Sequence, residues 1–320
     1  MDSNQPPPKK RTLLFWGLSG LALTAIVALS IPVGYFVLDP SASPVEDPRP
    51  AAEIVPGTVG VYIINLDRSK ERYASIKGPA EALGFPVTRL SATDGKTLEP
   101  QEIKTAVDFE SYTTFMGHGP ELGTIGCSFS HIRFWRAFLN SPYEFALVLE
   151  DDVSFDPQTL RNALENIVKH PSLWDIVNFE NHHRGMPLPL HRFPNQQTLV
   201  VYLTEQTHTG AYLVNRNAAK RLLAQALPIK MPIDHYFTRT WEMGLTFTGL
   251  ENPRLVHQTF GDSTIAQSQR LPGKTLSFQR TLQRSLYKLQ SYVIRFFYNL
   301  KIYGQHWSNE WLTYSKKLLS

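Results

Sequence analysis

The chain has 320 residues, 42% hydrophobic and 12% aromatic, which is enough for one large core or one domain with an appendage. Its net charge of +4 is unevenly placed: residues 273–320 hold eight Lys/Arg against one acid, so that segment carries +7 and the remainder about −3. The basic balance therefore belongs to a tail and makes no case for nucleic acid. Cys127 is the single cysteine, which excludes an internal disulfide and a cysteine zinc site; together with the lack of any Asn-x-Ser/Thr acceptor it leans away from a eukaryotic secretory protein.

Residues 1–12 are polar and end in Lys9-Lys10-Arg11. Leu13 to Leu38 follows without one charge. At about 1.5 Å per residue this stretch suffices for a hydrocarbon core of about 30 Å. It is too long for the apolar core of a cleaved signal peptide, so residues 13–38 are predicted to be an uncleaved transmembrane anchor, with Trp16 and Tyr35 at the interfaces. Positive charge before the span places the amino terminus in the cytoplasm and the main domain outside. Residues 39–57, rich in Pro, Ala, Ser and acid, read as a stem.

The folded domain is expected over 58–272. Val59–Leu66 has the unbroken apolar character of a buried strand, Ser69–Leu83 is helical with Gly84 as its cap, and Pro86–Ser91 is a strand. This βαβ opening predicts an α/β domain with a mostly parallel sheet. A helix and an irregular loop fill 98–122, and Gly123–His131 opens a helix to about Leu139. Further helices are expected over Pro157–His170, Arg216–Ala226 and Pro232–Glu242. Strands are expected over Leu173–Phe179, Thr198–Thr204 and Gly210–Val214, and a mobile loop over 181–197.

The stretch around which this domain is organised is Phe145–Asp156. Five apolar residues, 145–149, end abruptly in Glu150, Asp151 and Asp152. A strand buried on both faces reads in this way, and ligands of open α/β sheets bind beyond the carboxyl ends of strands. Three adjacent acids repel one another unless something positive holds them. Glu150 and Asp152, two residues apart, can converge on one Mn²⁺ or Mg²⁺ that also holds substrate phosphates. The plain alternative is a solvated acidic loop.

Past Gly273 the pattern changes. Leu282, Leu286, Leu289, Val293, Phe297 and Leu300 recur at three- and four-residue spacing, interleaved with Arg280, Arg284, Lys288, Arg295 and Lys301. Residues 273–320 thus read as a basic amphipathic helix, lying either on a membrane surface or on the domain with its basic face solvated.

Six stretches, in order, resemble glycosyltransferase family 25, the lipooligosaccharide β-galactosyltransferase and procollagen galactosyltransferase family. They are Ile64–Arg72, Ala92–Gly95, Gly123–His131, Leu147–Val153, Thr207–Tyr212 and Pro232–Asp234. The resemblance covers roughly residues 59–260 and leaves out the span and the tail. It implies a GT-A fold and transfer of a hexose, usually galactose from UDP-galactose, with inversion at the anomeric carbon. Inversion needs one general base, for which the Pro-Ile-Asp stretch offers Asp234; helix capping is its plain role. Asn65, Arg68, Arg72, Asp94, His131 and Asp151 are the expected nucleotide-sugar contacts, His208 and Gly210 stand on the acceptor side, and His257 is a candidate third metal ligand beside Glu150 and Asp152. Tyr73 and Thr124 depart from the family's common residues, which bears on donor preference more than on chemistry.

The expected protein is thus a membrane-tethered, metal-dependent inverting glycosyltransferase with a UDP-sugar donor and a lipooligosaccharide, glycolipid or polysaccharide acceptor. A phosphoesterase using residues 150–152 would want further acids or histidines for a second metal. The other alternative is an inactive relative that binds sugar or a partner. The compartment indications conflict, and they favour a bacterial inner membrane over the Golgi.

Overall fold

The computed structural model describes residues 58–180, 185–193, 195–251, 254–259, 268–273 and 278–319. The expected anchor, 13–38, and stem, 39–57, lie outside these residues. Among the described residues no helix is long and apolar enough to cross a membrane.

Strand β1 (Val59–Asn65) is followed by helix α1 (Lys70–Glu81) and then by β2 (Val87–Ser91), which pairs with β1 in parallel. Helices α2 (Pro100–Ala106), α3 (Phe109–Met116) and α4 (Leu122–Leu139) lead to β3 (Phe145–Glu150), parallel to β1 on its other side. The short β4 (Val153–Phe155), α5 (Pro157–Val168) and β5 (Ile176–Asn178) come next, then a hairpin of β6 (Pro187–Arg192) and β7 (Thr198–Tyr202). The chain continues through β8 (Ala211–Asn215), α6 (Arg216–Gln225), α7 (Ile233–Phe237), β9 (Phe247–Glu251), β10 (Val256–Gln258) and α8 (Phe278–Leu319).

Eight strands form one sheet in the order β2-β1-β3-β8-β5-β9-β7-β6. Six run in one direction and β8 and β7 run against them, so the sheet is mixed rather than wholly parallel. Alternation along β1 and β3 fills both faces. Val61, Ile63, Leu147 and Leu149 pack with Ile76 of α1 and Leu160 and Leu164 of α5. Tyr62, Ile64, Ala146 and Val148 pack with Phe134 and Phe138 of α4 and Leu222 of α6. A strand covered on both sides has no reason to alternate polar and apolar residues, and this accounts for the continuous apolar runs.

The helix expected from Gly123 to about Leu139 is present as Leu122–Leu139, with His131 at its middle. The glycines there serve packing: a β-carbon on Gly126 would lie 2.5 Å from the Thr93 carbonyl oxygen. Other local expectations are corrected. Part of the loop expected over 181–197 is a strand, β6, whose Pro187 and Pro189 are tolerated because β6 is the sheet's edge. The helix expected over Pro232–Glu242 breaks after Phe237 and resumes as a 3-10 turn at Thr240–Glu242.

The terminal helix α8 packs on α3, β6 and β7, with its polar residues turned inward. Arg284 Nε donates to the Phe115 carbonyl at 3.1 Å, Asn299 Nδ2 to the Tyr202 carbonyl at 2.7 Å, and the Tyr298 hydroxyl to the Leu245 carbonyl at 3.1 Å. A basic face solvated on a docked helix is therefore the reverse of what is observed.

Candidate active site

Because β1 and β3 are parallel neighbours, Asn65 and the acids 150–152 reach the same edge of the sheet. β8 runs the other way beside β3, so its entry arrives at that edge, and the Glu150 N–H donates to the Gly210 carbonyl at 2.7 Å. A cleft of about 430 Å³ opens here. Ten of the residues expected from the sequence line it: Arg68, Arg72, Asp94, His131, Glu150, Asp151, Asp152, His208, Gly210 and Asp234.

Asn65 and His257 do not line it. Asn65 is buried behind Asp151, with its amide fully used. Its Nδ2 donates to Asp151 Oδ2 at 2.6 Å and to the Ser69 carbonyl at 2.9 Å, while its Oδ1 accepts from Arg89 Nη2 at 2.7 Å. It therefore positions an acid and does not face a donor. His257 is exposed on β10, and the next residue reaches the acidic motif instead: Gln258 Nε2 donates to Asp152 Oδ2 at 3.2 Å.

Each acid has its own surroundings. Burial works against charge on Glu150, but His131 Nε2 at 3.3 Å and the Thr209 hydroxyl at 2.7 Å hold its carboxyl below the ordinary range. The ring is oriented from behind. The Tyr212 hydroxyl accepts from Trp135 Nε1 at 3.1 Å and lies 3.0 Å from His131 Nδ1, which leaves Nε2–H to face Glu150. Burial pushes Asp151 up, against the pull of Asn65 and of Arg72 Nη1 at 3.3 Å. Burial and then the charge of Glu150 push Asp152 up to about 6.

A fourth carboxylate, Glu180, was not singled out from the sequence. It is 2% exposed, accepts the Gly210 N–H at 2.8 Å, and is pushed up to about 8 by burial and by Glu150. A signal for it existed: Glu180 lies just past β5, as residues 150–152 lie just past β3. His208, 3.9 Å from Glu180, holds its backbone at φ 76°, a left-handed conformation uncommon outside glycine.

The two ends of the cleft differ. At one end Arg68, ion-paired with Asp94, stands with Arg72 and Lys96, a cationic arc suited to a diphosphate. At the other end stand Glu180, His208, Asp234 and His235. Asp151 and Asp152, both pushed above their ordinary range, mark the middle as short of positive charge, which a divalent cation would supply. Cys127, His131 and Glu150 also offer ligand atoms within 4.8 Å of one another. Burial pushes the Cys127 thiol well up, however, so it is a poor ligand, and the oxygen donors Glu150 and Asp152 fit a hard ion better.

The family model described as glycosyltransferase family 25 (LPS biosynthesis protein) matches residues 59–237. A "Glycosyltransferase 25 family member" of Aedes aegypti is 30% identical over 186 residues, 56% of this chain and 30% of that protein. Procollagen galactosyltransferase 2 of Mus musculus is 28% identical over 187 residues, 55% of this chain and 29% of that protein. The matched part is thus under a third of these relatives' length. A solved glycosyltransferase involved in the glycosylation of the major capsid of PBCV-1 is similar at a TM-score of 0.36 and 10% identity, covering 72% of this chain and 98% of that one. Since the family model spans more than half of the sequence, the chain belongs to glycosyltransferase family 25.

Proposed function

We propose that this protein is an inverting glycosyltransferase that moves a hexose, galactose by preference, from a UDP-sugar to a saccharide acceptor of a lipooligosaccharide, glycolipid or polysaccharide. The observation that carries the reading is one cleft with a cationic arc at one end, a charge-deficient acidic centre and a carboxylate at the other end. The names of the family and of the procollagen galactosyltransferases support the sugar chemistry.

Arg68, Arg72 and Lys96 bind the diphosphate, and Asp94 with the Gly95 backbone borders the donor. Glu150 and Asp152 would hold Mn²⁺ or Mg²⁺, which when bound supplies positive charge for the departing diphosphate. Asn65, Arg72 and His131 keep the acids oriented. The acceptor hydroxyl enters beside His208 and Gly210. As its oxygen bonds to the anomeric carbon and the carbon–oxygen bond to UDP breaks, its proton passes to the Asp234 carboxylate. Residues 13–38 tether the domain to a membrane, a bacterial inner membrane in preference to the Golgi; fractionation of expressing cells tests this.

The test of function is UDP release from UDP-galactose by the full chain, with Mn²⁺ and with EDTA. Metal-dependent release that falls at least 100-fold in Asp152→Ala is the expected outcome, a loss of about 3 kcal/mol or more of transition-state stabilisation. No turnover of any UDP-hexose, with saccharide acceptors and metal supplied, would leave a sugar-binding relative in its place.

A further inference from the structure

Helix α8 is built inside out. Its inward face is polar, with Ser291, Arg295 and Asn299 all buried. Its outward face is apolar: Phe278 is 87% exposed, Leu282 52%, Leu286 51%, Leu289 41%, Leu300 39% and Trp307 48%. Val293, Phe296 and Tyr303, partly covered, fill the intervals of the same stripe. A contiguous apolar surface of this extent is rare on a lone soluble domain and marks an interaction site.

The spacing and the charges say what covers it. From Leu282 the residues 286, 289, 293, 296, 300, 303 and 307 follow at intervals of 4, 3, 4, 3, 4, 3 and 4, and each is apolar or aromatic. This alternation is the 3.5-residue repeat of a two-helix seam, sustained for more than three heptads and about 38 Å. A helix lying on an anionic bilayer needs a broad apolar arc bordered by Lys and Arg. Here Gln283, Ser285 and Gln290 border the stripe, with the uncharged Tyr292 and Phe297 flanking its middle. The cations point elsewhere. Arg280 pairs with Glu110, Arg284 binds the end of α3, Lys288 lies over the Phe115 ring at 5.5 Å, and Arg295 pairs with Glu205. Between Phe278 and Trp307 only Lys301, among the described side chains, remains for a headgroup; Lys316 and Lys317 follow beyond the stripe. A neutral border lets a second, identical stripe approach without like-charge repulsion.

We propose that two copies of this chain pair through the outward faces of α8, as a two-fold coiled-coil dimer with Leu282–Trp307 as its seam. This surface is separate from the cleft, and the proposal does not rest on the enzymatic reading.

The test uses the full chain in a mild nonionic detergent, with the protein mass taken from light scattering. It also uses fluorescence energy transfer between differently labelled copies reconstituted at high lipid dilution in phosphatidylcholine vesicles. The expected protein mass is twice that of the 36.3 kDa chain, with transfer between copies in vesicles. Leu286→Glu/Leu300→Glu is expected to halve the mass and abolish transfer while keeping the helical circular-dichroism signal. Mixing it with Leu286→Lys/Leu300→Lys should restore both readouts, because opposite charges then face one another in either helix orientation; a misfolded variant would not be rescued. A wild-type monomer without transfer in vesicles overturns the proposal, and so does a dimer that survives both charged variants.

Discussion

Glu180 is a side chain whose protonation is coupled to folding. Its carboxyl is pushed up to about 8 from an ordinary 4.5, so the folded state holds its proton more tightly than the unfolded chain does. Stability from this group is complete below about 4.5 and is lost as pH rises to about 8. Glu180→Gln keeps an oxygen for the Gly210 N–H and removes the titration. It should therefore raise the ligand-free melting temperature at pH 9, by an amount worth roughly 3 kcal/mol, and change it little at pH 5. Parallel pH profiles for variant and wild type would show that the carboxyl is not held as described. The group was within reach of the rule that found residues 150–152, applied to the next strand. The left-handed backbone of His208 was not, because a histidine outside a recognisable turn motif does not by itself announce such a conformation.

Among the elements, α4 couples the site to the fold through Gly126, which lies against the backbone of Thr93 and Gly95. A β-carbon on Gly126 would approach the Thr93 carbonyl oxygen to 2.5 Å and the Gly95 nitrogen to 2.7 Å, whereas one on Gly78 of α1 would meet nothing within 4 Å. Gly126→Ala should therefore destabilise the domain by about 2 kcal/mol and displace Asp94, while Gly78→Ala should stabilise it by about 0.5–1 kcal/mol. Urea titration of the two variants measures the contrast. The elements legible in the sequence were those whose pattern is local: β1, β3, α5 and α6 each carry their own apolar run or stripe. β4 and β10 were not legible, since two three-residue strands about a hundred positions apart are strands only because they pair. The edge strand β6 was hidden by its prolines. The periodicity of α8 was plain, but which face turned inward was decided by carbonyls and acids on other elements.

At the scale of the whole molecule, α8 is fastened to the end of the cleft that holds Asp234 and His235. Arg295 Nη2 lies 3.1 Å from Glu205 Oε1, which also faces His235 Nδ1 at 3.0 Å, beside Asp234. Burial works against charge on Glu205, but His235 and Arg295 hold its carboxyl down at about 2. A depressed acid stabilises the fold above its ordinary 4.5 and loses that contribution as pH falls towards 2. Arg295→Met leaves Glu205 half-paired, which at pH 7 should cost about 3 kcal/mol. In urea denaturation the gap from wild type should narrow as pH falls from 4.5 towards 2. A constant gap would assign the loss to packing alone.

The reversed strand β8 has a consequence for how such a protein diversifies. The cationic arc and the acids are borne on segments that leave the parallel strands β1, β2 and β3, whereas His208, Thr209 and Gly210 lie on the segment that enters β8. Two stretches of chain, far apart in sequence and anchored on opposite ends of their strands, thus face one another across a single cleft. On the proposed reading, point changes and insertions between Leu203 and Gly210 would remodel what approaches the sugar without disturbing the residues proposed to grip its leaving group. Recognition of the two proposed substrates would in this sense be separately inheritable, and one scaffold could keep its donor while its lineage tries one acceptor after another.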